Sequence, residues 1–286
     1  MHMFPMQKLS GEEFPPLLKE IPDPPNALYL RGQLPKPNMK LLAVVGSRKY
    51  TNYGKQVTES LIGGLRGYNI CIISGLALGI DGIAHRAALD AGLQTLAVPG
   101  SGLNDEVLYP RSHRGLAHEI LNAGGGLLSE YEPDFTATVW SFPKRNRIMA
   151  GIAHAVLVIE AGEKSGTLIT SRLATDYNRD VFTVPGNIFS EGSKGPHMLI
   201  KLGATPITSS TDILLAFGID EGRKIAPLPS GLLPLEEKVL KLLTEPKTKD
   251  ALIRELDIDA SSANILLMQM EIKELLREDN GVLYQA

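Results

Sequence analysis

Between Leu41 and Ile207 the chain repeats one unit: a short apolar run, a glycine-rich break, then a stretch whose apolar residues recur at helical spacing. Parallel strands can be joined only by a crossover, and a helix is the usual one, so this rhythm confines the fold to βα units on a parallel sheet. Strands are expected at Leu41–Val45, Ile70–Ile73, Thr95–Val98, Gly126–Leu128, Ala155–Ile159, Val181–Val184 and near Thr205–Ile207. They are apolar without alternation, as strands covered on both faces are. Helices are expected near Tyr53–Arg66, Asp81–Ala91, Ser112–Asn122, Arg147–Gly151, Thr167–Tyr177 and Pro196–Leu202.

The repeat ends before the chain does. Phe217 to Pro234 mixes glycine, charge and three prolines and reads as a linker. Beyond it the apolar spacing is helical until Asp279-Asn280-Gly281, which sits between two short apolar runs as a hairpin turn does. Three helices and a hairpin describe a winged-helix-like module. The expected division is an approach segment over 1–38, an α/β domain over 39–218, a linker over 219–234 and the small module over 235–286. At 286 residues, 43% apolar and 21% charged, the chain can build such a core. Its one cysteine, Cys71, lies inside an apolar run and reads as a small buried hydrophobe. No stretch reaches the roughly 18 apolar residues of a membrane span, and charges and prolines interrupt residues 1–32 where a signal peptide would be apolar. A cytoplasmic protein without a membrane partner is expected.

Four glycine-rich loops follow predicted strands, at the sheet edge where open α/β sheets take ligands: Gly46-Ser47-Arg48, Ser74 to Asp81, Pro99-Gly100-Ser101-Gly102 and Glu160 to Thr167. Each brings backbone N–H groups and a helix N-terminus to one place, a combination that suits a phosphate. A single such loop is as readily a tight turn; four on one edge favour a site. Nucleotide fingerprints fail, however. Asp105 stands where the third glycine after Gly100-Ser101-Gly102 belongs, and no Walker-type sequence occurs. His85, His113, His118, His154 and His197 are dispersed, without the spacing of metal ligands. No metal and no cofactor are expected.

Trp140-Ser141-Phe142-Pro143-Lys144-Arg145-Asn146-Arg147 combines aromatic rings with three cations and an amide. Phosphates want Lys and Arg, whereas unstacked bases want a flat ring or guanidinium face. Trp140 and Phe142 taken singly read as core. The cations read as functional, because Arg48 and Lys49 add charge from the first loop; Arg111, His113 and Arg114 form a second basic cluster. A net charge of −3 gives no overall attraction to polyanions, so any such binding must be local.

From Pro15 to Leu215 the chain resembles the DprA/Smf family. The motifs are Val45-Gly46-Ser47-Arg48, Ser74 to Asp81 with Ala84-His85, Tyr109-Pro110, Leu128-Ser129-Glu130-Tyr131, Phe142 to Arg147, Ser165-Gly166-Thr167-Leu168-Ile169-Thr170 and Val184-Pro185-Gly186. The resemblance implies an extended Rossmann-like fold that binds single-stranded DNA without catalysis, contacts RecA and assists its loading in natural transformation, and forms a homodimer through the Rossmann domains. Carried over by motif, Gly46, Ser47, Arg48, Lys144, Arg145, Asn146 and Arg147 would hold phosphates. Ser165, Gly166 and Thr167 would donate from backbone and hydroxyl groups, and Phe142 would stack on a base. His197 stands where the family often has an amide. With about forty residues before the first expected strand, the family's N-terminal helical module is not expected in this sequence.

Two other readings remain. A nucleotide N-glycosidase of the lysine-decarboxylase-like group would need a carboxylate shortly after Gly166-Thr167, where this chain has Thr170, leaving Glu160 or Glu163 as substitutes. A regulatory module sensing a small nucleotide would use the same loops. The small C-terminal module has five lysines and two arginines against four aspartates and seven glutamates over 231–286, a net of −4. It reads as a protein-contact or packing module, with duplex DNA binding as the lesser alternative, its apolar Ile265, Leu266, Met268, Met270 and Ile272 taken as mostly core.

Overall fold

The computed structural model describes residues 4–220, 233–243, 247–256, 258–273, 275–279 and 281–285. The expected strands form close to their expected places: β3 (Lys40–Val45), β4 (Ile70–Ser74), β5 (Gln94–Ala97), β6 (Gly126–Ser129), β7 (Ala155–Val158), β8 (Asp180–Thr183) and β9 (Thr205–Pro206). Helices α2 (Asn52–Gly63), α3 (Ile80–Asp90), α4 (Arg114–Asn122), α5 (Ser141–Ile152), α6 (Thr167–Asp176) and α7 (Lys194–Lys201) connect them, and α8 (Ser210–Ala216) follows. Two strands and a short helix precede these: β1 (Met6–Leu9), α1 (Pro16–Lys19) and β2 (Leu28–Gly32). All nine strands form one sheet in the order β1-β2-β6-β5-β4-β3-β7-β8-β9. Neighbours are parallel from β6 to β9, while β1 and β2 add to the β6 edge antiparallel.

Burial explains the unalternating strands. Ala43, Val45, Cys71, Ile73, Val156 and Val158 face one core with Leu18 of α1, Ile148 and Ile152 of α5 and Ala174 of α6. Ala97 and Leu127 face the opposite way, against Leu116, Ala117 and Ile120 of α4, and α3 lies on that side against α2 and α4. Both faces are therefore covered. Residues 1–38, expected as an approach segment, contribute from Phe4 onward to the sheet domain: Phe14, Leu18, Ile21, Leu28 and Leu30 are buried in its main core. Leu28-Tyr29-Leu30 is too short an apolar run to read as a strand beside Pro24-Pro25, and its partner β6 lies far downstream.

The other departure concerns α5. It starts at Ser141, well before the expected Arg147. Pro143 lies in its first turn, where its missing N–H has no helical acceptor to lose. The basic stretch is thus helical, and its side chains point where a helix sends them.

Two compact units divide the chain, Met1–Gly218 and Ile219–Ala286. The second contains α9 (Pro234–Leu242), β10 (Lys247–Thr248), α10 (Lys249–Leu256), α11 (Ala260–Ile272), β11 (Leu276–Asp279) and β12 (Val282–Gln285), with an antiparallel sheet in the order β10-β12-β11. Its core holds Val239, Leu252, Leu256, Leu266, Met270 and Leu283. Ile265, Met268 and Ile272, expected as core, are exposed. Helix α11 is apolar on two sides, and among the described residues Ala263, Leu266, Leu267 and Met270 are the ones buried in the core of this unit. The expected linker over 219–234 falls mostly on 221–232, and the expected turn includes Asn280; both lie outside the described residues. No helix among the described residues is long and apolar enough to cross a membrane.

Candidate functional site

From β3 the chain builds outward through β4, β5 and β6, then returns to place β7 on the other side of β3. The loops leaving β3 and β7 therefore diverge, and open α/β sheets place ligands in the crevice that such a reversal opens. A recess of about 510 Å³ lies there. Its walls are Val45 to Lys49 after β3, Ser165, Gly166, Thr167 and Thr170 at the start of α6, and Phe142, Arg145, Asn146 and Met149 along one face of α5. Asp81 of α3 also lines it.

Local chemistry holds the loops in place. Thr167 Oγ1 donates to the Gly46 carbonyl at 3.2 Å, and Ser165 Oγ accepts from the Thr167 N–H at 3.2 Å. Gly46 lies so close to α3 that a Cβ there would come within 2.6 Å of Ile80. Gly79, the N-cap of α3, has φ +85°, and a Cβ there would come within 2.3 Å of the Ser47 carbonyl oxygen. The start of α6 faces the recess, so the positive end of its dipole does too.

The four residues Lys144 to Arg147 separate by helical phase. Arg145 and Asn146 reach the recess; Lys144 and Arg147 turn toward Glu130. Arg145 is buried and donates to the carbonyls of Gly75, at 2.6 Å, and Val98. Burial pulls its guanidinium to about 10, with Asp81 opposing that shift and Arg48 adding to it. Burial raises the Asp81 carboxyl, against the pull of Arg145 and of the Gly75 N–H, which donates to it at 3.0 Å. Arg147 is locked: its Nη2 lies 2.5 Å from Glu130 Oε2, and Nη1 donates to the Asp23 carbonyl. Lys144 Nζ lies 3.4 Å from Glu130 with its side chain half exposed. The expectation that the whole run holds phosphates therefore narrows. Arg147 is a tie between elements, Arg145 forms the floor of the recess, Lys144 stands outside it, and the exposed cations of the lining are Arg48 and Lys49.

Phe142 is half-buried, with the Arg48 guanidinium 5.1 Å from its ring centroid and Tyr109 at 5.6 Å. Trp140, expected in the core, is 56% exposed. It stands just ahead of the first turn of α5 and meets the rings of Tyr131 and Phe135, 5.9 and 5.6 Å between centroids. Sequence reasoning missed Asp81 as a wall of the recess and Trp140 as a surface residue. Asp81 closes the glycine-rich loop that begins at Ser74, a signal that marks its place but not its direction.

Other candidates lie elsewhere. His113 Nδ1 pairs with the Leu76 carbonyl at 2.8 Å, Arg114 donates to the Glu106 carbonyl, and neither lines the recess. His197 Nε2 pairs with the Gly186 carbonyl at 3.0 Å, also outside it. Glu160 accepts from Thr51 N at 2.9 Å and Thr51 Oγ1 at 2.5 Å, so its carboxylate is committed to the start of α2. Among the residues of α6 that line the recess, Thr170 stands where a glycosidase would need its carboxylate.

The family model of DNA recombination-mediator protein A matches residues 6–218. The chain belongs to the DNA recombination-mediator protein A family. The match ends where the first compact unit ends, so membership rests on the nine-stranded domain. Protein Smf of Escherichia coli is 43% identical over 220 residues, covering 76% of this chain and 58% of the relative. DNA processing protein DprA of Streptococcus pneumoniae is 42% identical over 214 residues, 75% of this chain and 74% of that one. Its X-ray structure superposes with a TM-score of 0.68 at 40% identity, over 75% of this chain and 74% of that one. A structure of DNA processing protein A from Helicobacter pylori, described for its single-stranded DNA binding mode, superposes with a TM-score of 0.65 at 31% identity, over 75% of this chain and 96% of that one. These neighbours share the Rossmann-like α/β architecture.

Proposed function

We propose that this chain binds single-stranded DNA as a recombination mediator in DNA uptake, without catalysis and without a cofactor. The observation that carries the reading is the recess at the β3/β7 reversal: Arg48 and Lys49 at its mouth, the N-terminus of α6 in its wall and the Arg145 guanidinium in its floor. Such a recess suits a backbone phosphate. Gly46, Ser47, Asn146, Ser165, Gly166 and Thr167 supply polar groups around it, Lys144 adds charge outside, and Phe142, carrying Arg48, forms an apolar side. The H. pylori neighbour, described for binding single-stranded DNA, supports the same ligand.

In this reading the protein works in the cytoplasm, hands its strand to RecA and assists RecA loading. It forms a homodimer through the first unit, for which the exposed Ile169, Met198 and Leu202 along the groove between α6 and α7 are the supporting surface. The second unit, read as winged-helix-like, serves protein contact and not DNA.

Titrating a fluorescent poly-dT and a matched duplex at several salt concentrations tests the reading. The single strand binds more tightly, and log K falls against log[salt] by about 0.7 for each phosphate neutralised. Arg48→Ala weakens binding and flattens that slope by about one such increment. An unchanged affinity and slope in both Arg48→Ala and Lys144→Ala would remove the site.

A further inference from the structure

The chain has one tryptophan, and it is on the surface beside the recess. An indole is among the largest apolar groups a protein can bury, so one left 56% exposed next to a cationic recess calls for a reason. Val139, before it, is 88% exposed and lines the recess, and Phe142, two residues after it, lines the recess as well. Trp140 is therefore the next surface that a strand leaving the recess past Val139 would meet.

Inside the recess, Phe142 is flanked by Arg48 and Tyr109, which limits its room for a base. Trp140 has open surface. Tyr131 meets it at 74° between ring planes and Phe135 at 60°, so the two rings support the indole while leaving more than half of it to solvent. Support of that kind orients the ring in advance and lowers the entropy lost on stacking. One turn along α5, Lys144 Nζ lies 5.9 Å from the Tyr131 centroid with its side chain 48% exposed, so a cation stands beside the aromatic cluster. A flat ring next to a cation is what a base and its phosphate require.

We propose that Trp140 is a base-stacking platform for single-stranded DNA, placed outside the phosphate recess. The proposal rests on the DNA-binding reading above and adds to it a second contact of different chemistry. Stacking releases no counterions, so this contact adds affinity without adding to the salt dependence, whereas Arg48 adds to both.

The test uses the full chain and an oligodeoxythymidine with a fluorescent label. Anisotropy of the label reports binding; tryptophan emission, which in this chain arises from position 140 alone, reports stacking. Saturable quenching with the same midpoint as the anisotropy supports the proposal. So does a fall in affinity of about tenfold in Trp140→Ala at unchanged salt slope, with most of it restored in Trp140→Phe. Normal binding by anisotropy with no change in emission, and Trp140→Ala binding like the parent, overturns the platform and leaves the DNA reading standing. Absence of binding by anisotropy in the parent chain overturns the DNA reading and the platform with it. The wild-type emission signal needs no variant to fold.

Discussion

Arg145 and Lys144 are adjacent and are expected to fail in different ways. Arg145→Ala removes the donor to two buried carbonyls and the cation beside buried Asp81. Losing one member of such a set costs about 3–5 kcal/mol, a loss that urea denaturation reads directly. Lys144→Ala removes a half-exposed ammonium and changes stability by roughly 0.5 kcal/mol or less, so its effect is expected in DNA titrations instead. His85 sets a pH limit. It is fully buried beside Thr95, its Nδ1 2.7 Å from Thr95 Oγ1, and burial pushes its pKa down from 6.5 to about 3. Between those values the unfolded chain binds a proton that the folded chain refuses. Stability is therefore full above pH 6.5 and falls as pH drops toward 3, by about 1.4 kcal/mol per pH unit from this group at most. Chemical denaturation at several pH values checks it: in His85→Gln, if folded, that part of the acid slope disappears. A parent chain whose stability is flat from pH 6.5 to 5 would contradict the assignment.

At the scale of elements, α5 decides which cations face the ligand. Phe142, Arg145, Asn146 and Met149 share its recess-facing side, while Lys144 and Arg147 share the side facing Glu130. In the sequence they form one basic run, and starting the helix only near Arg147 hides the phase that divides them. The glycine-rich loops were more legible, because a βα turn with glycine and a following helix has few alternatives. What their sequence does not show is how tightly they lie on one another. Gly79 is the sharpest case: its φ of +85° disfavours any side chain, and a Cβ would run into the Ser47 carbonyl. Gly79→Ala is expected to lose about 1–3 kcal/mol of stability and, by displacing the Gly46-Ser47-Arg48 loop, to weaken single-strand binding. Binding at parental affinity in a folded Gly79→Ala protein would show that the loop's position is not what the ligand needs.

For the whole molecule, charge and compactness point the same way. The second unit contains the stretch 231–286, with a net charge of −4, which leaves +1 for the remainder of a chain whose total is −3. The first unit carries the recess and the full family match. A chain ending at Gly218 is therefore expected to unfold cooperatively and to bind poly-dT at least as tightly as the full chain at low salt, since it sheds anionic residues that repel phosphate. Loss of binding on that truncation would move the interface, or part of it, off the nine-stranded domain.

The sequence by itself determined the parallel sheet, its βα order and the placing of the glycine-rich loops at one edge, because apolar periodicity and turn chemistry are local and have few physical solutions. It did not determine the antiparallel β1–β2 edge, whose short strand is stabilised by a partner remote in the chain. Nor did it determine which of Lys144 to Arg147 would be exposed, or that Trp140 would be. Those outcomes depend on helical phase and on what stands opposite each side chain: Glu130 before Arg147, the Gly75 and Val98 carbonyls before Arg145, and the rings of Tyr131 and Phe135 against Trp140. Burial is a property of the opposing surface as much as of the residue, and that surface exists only once the chain has folded.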